Sequence, residues 1–219
     1  MTQKLSPSFE ELLQISAKLH KHICPRQVLG VRMGMAAGKW LGLDLPQTNK
    51  RLLAIVETDG CGADGISAAT GCWVGRRTLR MVDFGKMAAT FIDTRSGCAV
   101  RIAPSHASRE LAKLVAPDAK NRWEAYLLGY QRMTDEELLN VQPVELELSV
   151  EQLISRPGVR VNCTQCGEEI INEREVMVGK RPFCKACAGE RYYRPLSQAV
   201  QQVGYLRNSP APTRFLKHG

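Results

Sequence analysis

The chain has 219 residues, a formal net charge of +8 and a hydrophobic content of 44%. This length suits one ordinary domain with a small appended one. No apolar run approaches the roughly 18 residues of a membrane helix, and the first residues lack a signal-peptide pattern, so we expect a cytoplasmic protein with no membrane partner. In that compartment its eight cysteines are expected to be metal ligands or catalytic thiols rather than disulfides.

Helices and strands are mixed along the first two thirds of the chain. Ser6 and Pro7 predict the start of a helix that runs to about His20 or His22, and Pro25 predicts the start of a second. The remaining elements are read from apolar periodicity and capping residues: strands at 52–57, 87–93, 97–104 and 143–150, and helices from Ser105 to Leu114, from Ala119 to Met133 with Asp118 as cap, and after Thr134. Without a repeating βαβ period, these elements predict an α+β core domain at 1–155.

The second helix carries a stripe of glycines at four-residue spacing. Gly30, Gly34 and Gly38 each lower helix stability, so the stripe indicates that another backbone approaches closely. Packing within one chain and contact between two copies both explain it.

A first group of metal-type residues surrounds the start of that helix. The sequence H-x-H-x-C places His20, His22 and Cys24 close together, Cys61 follows in a glycine-rich loop, and Cys72 comes shortly after. Histidine with cysteine is a ligand set for zinc or another late transition metal, and ligands from separate elements allow an open coordination position. The alternatives are a redox pair of Cys24 and Cys61, or cysteines that are simply buried.

A second group of cysteines lies near the end of the chain. Two C-x-x-C pairs, separated by seventeen residues, comprise Cys163, Cys166, Cys184 and Cys187. This spacing predicts a closed, structural four-sulfur zinc site, with two disulfides as the alternative.

The segment between the two pairs predicts a hairpin around Val176 and Val178, and a helix is predicted from Cys184. Together these features predict a treble-clef finger at 156–195, which we expect to be followed by an extended tail at 196–219.

The end of the chain is also mildly basic. Residues 156–219 hold eleven Lys and Arg against five Asp and Glu. The side chains that would contact nucleic acid are Arg174, Lys180, Arg181 and Lys185, with Arg191 and Arg194. A solvated surface is the favoured interpretation, because acidic residues interrupt the run and zinc thiolates offset part of the charge.

Two segments of the core carry a resemblance to a known family. KLHKHICPRQVLGVRMG and ETDGCGADGISAATGCWVGRRTLRMVDFGKMAATF resemble the core of the formylmethanofuran dehydrogenase FmdE family, some members of which append a zinc finger. The resemblance implies an α+β core, a tightly intertwined homodimer and a metal site with ligands among His20, His22, Cys24, Cys61 and Cys72. It also marks Asp64 and Lys86 as motif positions.

Three functions are compatible with these features. The first is a homodimeric metal-binding accessory protein that serves, or delivers or senses metal for, a molybdenum- or tungsten-dependent oxidoreductase. The second is a nucleic-acid-binding regulator with the core as metal sensor. The third is an enzyme that uses the core metal as a Lewis acid with Lys86 or Asp64 as acid or base. The cofactors expected are a structural Zn²⁺ in the finger and a second Zn²⁺ or other transition metal in the core.

Overall fold

The computed structural model describes residues 6–147, 149–154 and 157–194. The chain divides into a larger unit, Met1–Ile154, and a smaller unit, Ser155–Gly219. The predicted tail at 196–219 lies outside the described residues. No helix in the described ranges is both long and apolar enough to cross a lipid bilayer.

The larger unit combines helices with one sheet, which confirms the α+β class. Its helices are α1 (Phe9–His20), α2 (Pro25–Leu41), α3 (Cys61–Thr70), α4 (Ser108–Val115), α5 (Arg122–Arg132), α6 (Asp135–Leu138) and α7 (Val150–Ile154). Its strands are β1 (Leu52–Val56), β2 (Leu79–Met81), β3 (Ala89–Asp93), β4 (Ala99–Pro104) and β5 (Leu139–Val144).

The sheet has the strand order β2-β1-β3-β4-β5. Strands β1 and β2 are parallel and are joined through α3, whereas the other pairs are antiparallel. Because side chains alternate along a strand, the sheet has two apolar faces. Phe91 and Val100 belong to the main core with α2 and α3, and Leu53 and Ile92 form a smaller cluster on the other face.

Several helix starts differ from the sequence prediction because the predicted caps make other contacts or are replaced by other residues. Helix α1 begins later than expected, because Ser8 and Glu11 form a capping box. The Ser8 hydroxyl accepts a hydrogen bond from the Glu11 backbone N–H, and the Glu11 carboxylate accepts one from the Ser8 backbone N–H. Helix α4 does not start at Ser105, whose hydroxyl donates to the Glu137 carbonyl. Helix α5 is capped by Asn121 rather than Asp118.

Other boundaries differ as well. Of the predicted strand at 143–150, only Pro143 and Val144 belong to a strand: β5 spans Leu139–Val144, and Val150–Ile154 forms α7. Asp118, the predicted cap, pairs with Arg132 at the other end of α5. The capping box at Thr134 is confirmed.

Two glycines of the α2 stripe, Gly30 and Gly34, pack against α3 of the same chain, whereas Gly38 faces Leu43 and Leu45. A Cβ atom on Gly30 would lie 2.2 Å from the Gly62 carbonyl oxygen, and one on Gly34 would lie 2.6 Å from the Ala69 Cβ. The reciprocal contact is made by Gly65, where a Cβ would lie 2.5 Å from the Gln27 carbonyl oxygen. The two helices therefore run parallel in close contact, with their N-termini at the same end.

The smaller unit is built from two antiparallel hairpins, one of β6 (Arg160–Asn162) and β7 (Glu169–Ile171), the other of β8 (Val176–Val178) and β9 (Arg181–Phe183). The predicted hairpin is confirmed, and its turn contains Gly179 in the left-handed region at φ 63°.

The predicted helix from Cys184 is wrong: 185–189 are turns, and no helix forms in 184–194. The Cys187 N–H donates to the Cys184 sulfur, 3.4 Å away, so it is engaged by a thiol rather than by a helical carbonyl.

Candidate metal centres

The four cysteines of the smaller unit converge on one point. Their Sγ atoms all lie within 4.8 Å of one another, and the Sγ atoms of Cys166 and Cys184 are 3.9 Å apart. Tetrahedral coordination with metal–sulfur bonds of about 2.3 Å separates neighbouring sulfurs by about 3.8 Å. The cluster therefore fits a single ion. The disulfide alternative is wrong, because all four thiols are free.

Backbone groups around this cluster already favour negative charge on sulfur. The N–H of Cys184 donates to the Cys163 Sγ over 3.3 Å. Backbone N–H groups of Cys166 and Cys184 lower the pKa of Cys163 to about 6. By contrast, hydrogen bonding to Cys184, followed by burial, raises the pKa of Cys187 to about 12. A bound cation is needed to hold all four sulfurs as thiolates together.

The second candidate centre lies where α2 and α3 begin. Cys24 is the N-cap of α2 and is buried, and Cys61 is the first residue of α3. The parallel packing of the two helices brings these thiols together. Cys61 is thus on a helix N-terminus and not in the loop that the glycine-rich sequence predicts.

A buried hydrogen-bond chain holds this end of α2 against α1. The Cys24 backbone N–H donates to the Gln27 side chain over 2.8 Å, and the Gln27 amide donates to the Ser16 hydroxyl over 3.0 Å. Both Gln27 and Ser16 are fully buried. The position of Cys24 is therefore set by interior packing.

His20, at the end of α1, completes the group. Its Nε2 lies 3.0 Å from the Cys61 Sγ, and its Nδ1 lies 3.3 Å from the Asp64 Oδ2. The carboxylate favours a proton on Nδ1, which leaves Nε2 available to a metal ion or to the thiol proton. His22 lies beside His20, with ring centroids 4.5 Å apart and an interplanar angle of 53°.

The Cys61 thiol is held in its protonated form. Burial, followed by the hydrogen bond and charge interaction with Cys24, raises its pKa to about 11. These effects outweigh the helix N-terminus, which by itself would favour a thiolate. The thiol, the imidazole and the carboxylate lie in sequence, an arrangement that suits metal binding. The same arrangement occurs where a histidine activates a cysteine nucleophile.

Two predicted residues are not brought to this centre. Cys72 follows the far end of α3, is 1% exposed, and its thiol donates to the Leu52 carbonyl over 3.5 Å. The Lys86 ammonium lies over the Phe84 ring, 5.9 Å from its centroid. Cys72 is thus a core residue in this structure, which does not bring it together with Cys61.

Within the described ranges, only the four-cysteine cluster brings three or more metal-type atoms within 4.8 Å of one another. At the core centre His20 is contacted by Cys61 on one nitrogen and by Asp64 on the other. A bound ion at Nε2 would therefore take its ligands from His20 and the thiols, with Asp64 behind the imidazole.

A cavity of about 680 Å³ opens beside Cys24 and Cys61. Its other wall includes Arg109 of α4 and Trp123 and Tyr126 of α5. Sequence reasoning missed these residues, because they lie far from the cysteine motifs along the chain and only the fold brings them close.

The basic side chains of the smaller unit face solvent. Arg174, Lys180, Arg181 and Lys185 are all exposed. Lys185 also lies 3.4 Å from the carboxylate of Glu190. Both a solvated surface and a nucleic-acid-binding surface require exposed basic side chains. The function as a nucleic-acid-binding regulator therefore stays a prediction.

A family model described as "FmdE, Molybdenum formylmethanofuran dehydrogenase operon" matches residues 19–140, more than half of the chain. The chain belongs to the FmdE family. The matched region contains His20, Cys24, Cys61 and Asp64, so the core centre lies in the part that defines the family.

Two relatives extend this assignment. A "Probable S-adenosyl-L-methionine-binding protein" of Archaeoglobus fulgidus is 29% identical over 199 residues, covering 83% of this FmdE chain and 53% of the relative. The chain thus spans about half the length of that relative. The crystal structure of a tungsten formylmethanofuran dehydrogenase FmdE-like protein from Syntrophus aciditrophicus has 24% identity and a TM-score of 0.55, covering 89% of this chain and all of that one. That likeness shows a shared fold.

Proposed function

We propose that this FmdE protein is an accessory protein that holds two metal ions, one in each unit. Family membership supports a metal-related accessory role. The observation that carries the proposal is the approach of the His20 Nε2 to the Cys61 Sγ at 3.0 Å, with the buried Cys24 thiol beside it. Imidazole and thiolate together are the ligands of zinc and other late transition metals.

In the smaller unit the ion we propose is Zn²⁺. Four thiolates satisfy its tetrahedral preference and leave no open coordination position. An ion so enclosed supplies folding free energy rather than chemistry. It would join the turns after Cys163 and Cys184, which belong to two short hairpins with little apolar core of their own.

In the core we propose a second Zn²⁺ or another transition metal, bound by His20, Cys61 and Cys24. Asp64 would orient the imidazole of His20 through its contact with Nδ1. These three ligands leave a coordination position open, which would allow a bound ion to act as a Lewis acid or to be passed on. His22, whose ring centroid lies 4.5 Å from that of His20, would be a further nitrogen ligand.

The homodimer is also a proposal, supported by a set of exposed apolar residues around β2. This apolar patch comprises Val74, Met81, Val82 and Phe84, which are 70%, 57%, 44% and 63% exposed. Met81 ends β2, an edge strand of the sheet. Exposed apolar side chains at an unpaired edge are typical of an interface, and we propose a second copy of the chain as its partner. The molybdenum- or tungsten-dependent oxidoreductase is the partner that we propose for the assembled protein.

Metal analysis of the purified chain by plasma mass spectrometry tests the two ion sites. We expect two equivalents of metal in the wild type, one in Cys61→Ala and one in Cys163→Ala. Cys98→Ala, at an exposed cysteine outside both clusters, is the matched control and should retain both. The core site would be refuted if the wild type held one equivalent of metal and Cys61→Ala held the same amount.

A further inference from the structure

The cavity next to the core cysteines has two chemically different walls. One wall is made by Cys24 and Cys61 at the N-termini of α2 and α3. The other is made by α4 and α5. A volume of about 680 Å³ lies within the range of small-molecule binding sites. The cavity is therefore large enough for an organic ligand in addition to an ion.

The far wall is aromatic. Trp123, Tyr126 and Tyr130 follow one another along α5 at spacings that place them on adjoining turns. The rings of Tyr126 and Tyr130 stack with an interplanar angle of 4° and a centroid separation of 5.8 Å. Trp123 is 52% exposed although it is a large aromatic residue. Such a wall offers flat surface against which another ring can stack.

The ionisable groups of the cavity are all cationic or neutral. Arg26 and Arg109 line it together with His106, and none of the described residues that line it is acidic. In the described part of the chain, neither arginine forms an ion pair with a carboxylate. Arg109 instead interacts with the phenol of Tyr130, whose pKa is raised by burial and lowered in part by that guanidinium. The cavity thus presents guanidinium groups without an anionic partner.

We propose that this cavity binds a small organic anion that carries a flat aromatic ring. The ring stacks on Trp123 and Tyr126, and the phosphate, carboxylate or sulfonate group pairs with Arg109. Arg26, at the start of α2, adds positive charge on the opposite side. This arrangement places the ligand over Cys24 and Cys61. Its position relative to an ion rests on the proposed core metal site, whereas its recognition by α4 and α5 does not.

Two pairs of probes distinguish the contribution of the aromatic ring to binding from that of the negative charge. The first pair is adenosine 5′-monophosphate and adenosine, and the second is 8-anilinonaphthalene-1-sulfonate and its uncharged counterpart N-phenyl-1-naphthylamine. Binding to the full chain is measured by calorimetry and by tryptophan fluorescence. In at least one pair we expect one anion bound per chain, at least about tenfold more tightly than the neutral partner, the factor typical of one charge-assisted hydrogen bond.

Two variants test the assigned contacts. Arg109→Gln should abolish the preference for the anion, whereas Lys113→Gln, at an exposed lysine of the same helix outside the cavity, should preserve it. Trp123→Ala should weaken both members of a pair, and Trp40→Ala, at another exposed tryptophan, should weaken neither. Both mutated cavity residues are exposed, so we expect the variants to fold, which circular dichroism checks.

The proposal is overturned if the neutral member of each pair binds as tightly as the anion. It is equally overturned if no probe binds, or if Arg109→Gln keeps the preference. Metal content is measured on the same samples, so that a failure of the ligand proposal can be distinguished from a failure of the proposed metal site. An anion preference without a core ion refutes the metal site alone, and a core ion without the preference refutes the ligand alone.

Discussion

The Nε2 of His20 lies 3.0 Å from the Sγ of Cys61, although the two residues are forty-one positions apart in the chain. This contact depends on α1 ending at His20 and on α3 beginning at Cys61. It depends equally on the close packing of α3 against α2, which the facing glycines allow. The core centre is therefore a product of helix packing, and perturbations of its supporting residues should be measurable.

Asp64→Asn should weaken metal binding at the core centre without abolishing it. Asp64 lies 3.3 Å from the Nδ1 of His20, and loss of such a carboxylate typically lowers metal affinity by about 10- to 100-fold. Competition with a chromophoric chelator in a Cys163→Ala background measures the effect. Asp44→Asn, at an exposed aspartate remote from the histidine, is the control. An unchanged affinity in Asp64→Asn would show that Asp64 has no role in orienting His20.

Cys72→Ala should leave both metal equivalents in place and lower stability. The Cys72 thiol is buried in the core, where its removal leaves a small cavity and deletes the hydrogen bond to the Leu52 carbonyl. We expect the free energy of unfolding to fall by about 1 kcal/mol, as measured by urea denaturation. Cys98→Ala, at an exposed cysteine, should change it by less than about 0.5 kcal/mol. Loss of one metal equivalent in Cys72→Ala would instead restore Cys72 as a ligand.

The ion pair of Arg51 and Asp93 should make stability depend on acid pH. Hydrogen bonds from Arg51 lower the pKa of the buried Asp93 carboxyl from 3.8 to about 2. A depressed folded-state pKa contributes stability above the unfolded value, and that contribution is lost as the pH falls from about 4 towards 2. The shift corresponds to about 2 kcal/mol.

Asp93→Asn should therefore lower the free energy of unfolding by about 2 kcal/mol at pH 7. The difference from the wild type should shrink as the pH approaches 2. Denaturant unfolding at a series of pH values measures this. A difference that stays constant from pH 7 to pH 2.5 would show that the ionised carboxylate is not the source of the stability.

Phe84→Glu should dissociate the proposed homodimer. Phe84 is 63% exposed within the apolar patch at the edge strand β2, and a carboxylate buried in an interface without a partner is strongly unfavourable. Light scattering coupled to gel filtration gives the mass. Leu114→Glu, at another exposed apolar residue, 75% accessible and on α4, should remain dimeric. A monomeric wild type, or a Phe84→Glu variant of unchanged mass, would contradict the proposal.

Local features were predicted well from the sequence. Both C-x-x-C pairs, the start of α2 at Pro25, the hairpin turn at Gly179 and the capping box at Thr134 depend on residues within a few positions of one another. The helix predicted from Cys184 does not form in 184–194. The N–H groups of Cys184 and Cys187 donate to the sulfurs of Cys163 and Cys184, and Cys163 belongs to another hairpin. The carbonyl contacts that follow, such as that of the Ala188 N–H with the Cys184 carbonyl, do not extend beyond a turn.

The amino-acid sequence by itself determined the α+β class and the types of metal-binding residue, because these follow from short-range periodicity and spacing. The family followed from the resemblance of two motif-bearing segments of the core. Only the tertiary structure decided which of those residues meet. The packing register of α2 against α3 joins Cys24 to Cys61 and carries Cys72 to the far end of the helix. That register is determined by steric fit between glycine faces distant along the chain, which no local pattern encodes. The packing of α5 against α2 and of α4 against α5 sets Arg109 and Trp123 opposite the thiols across one cavity.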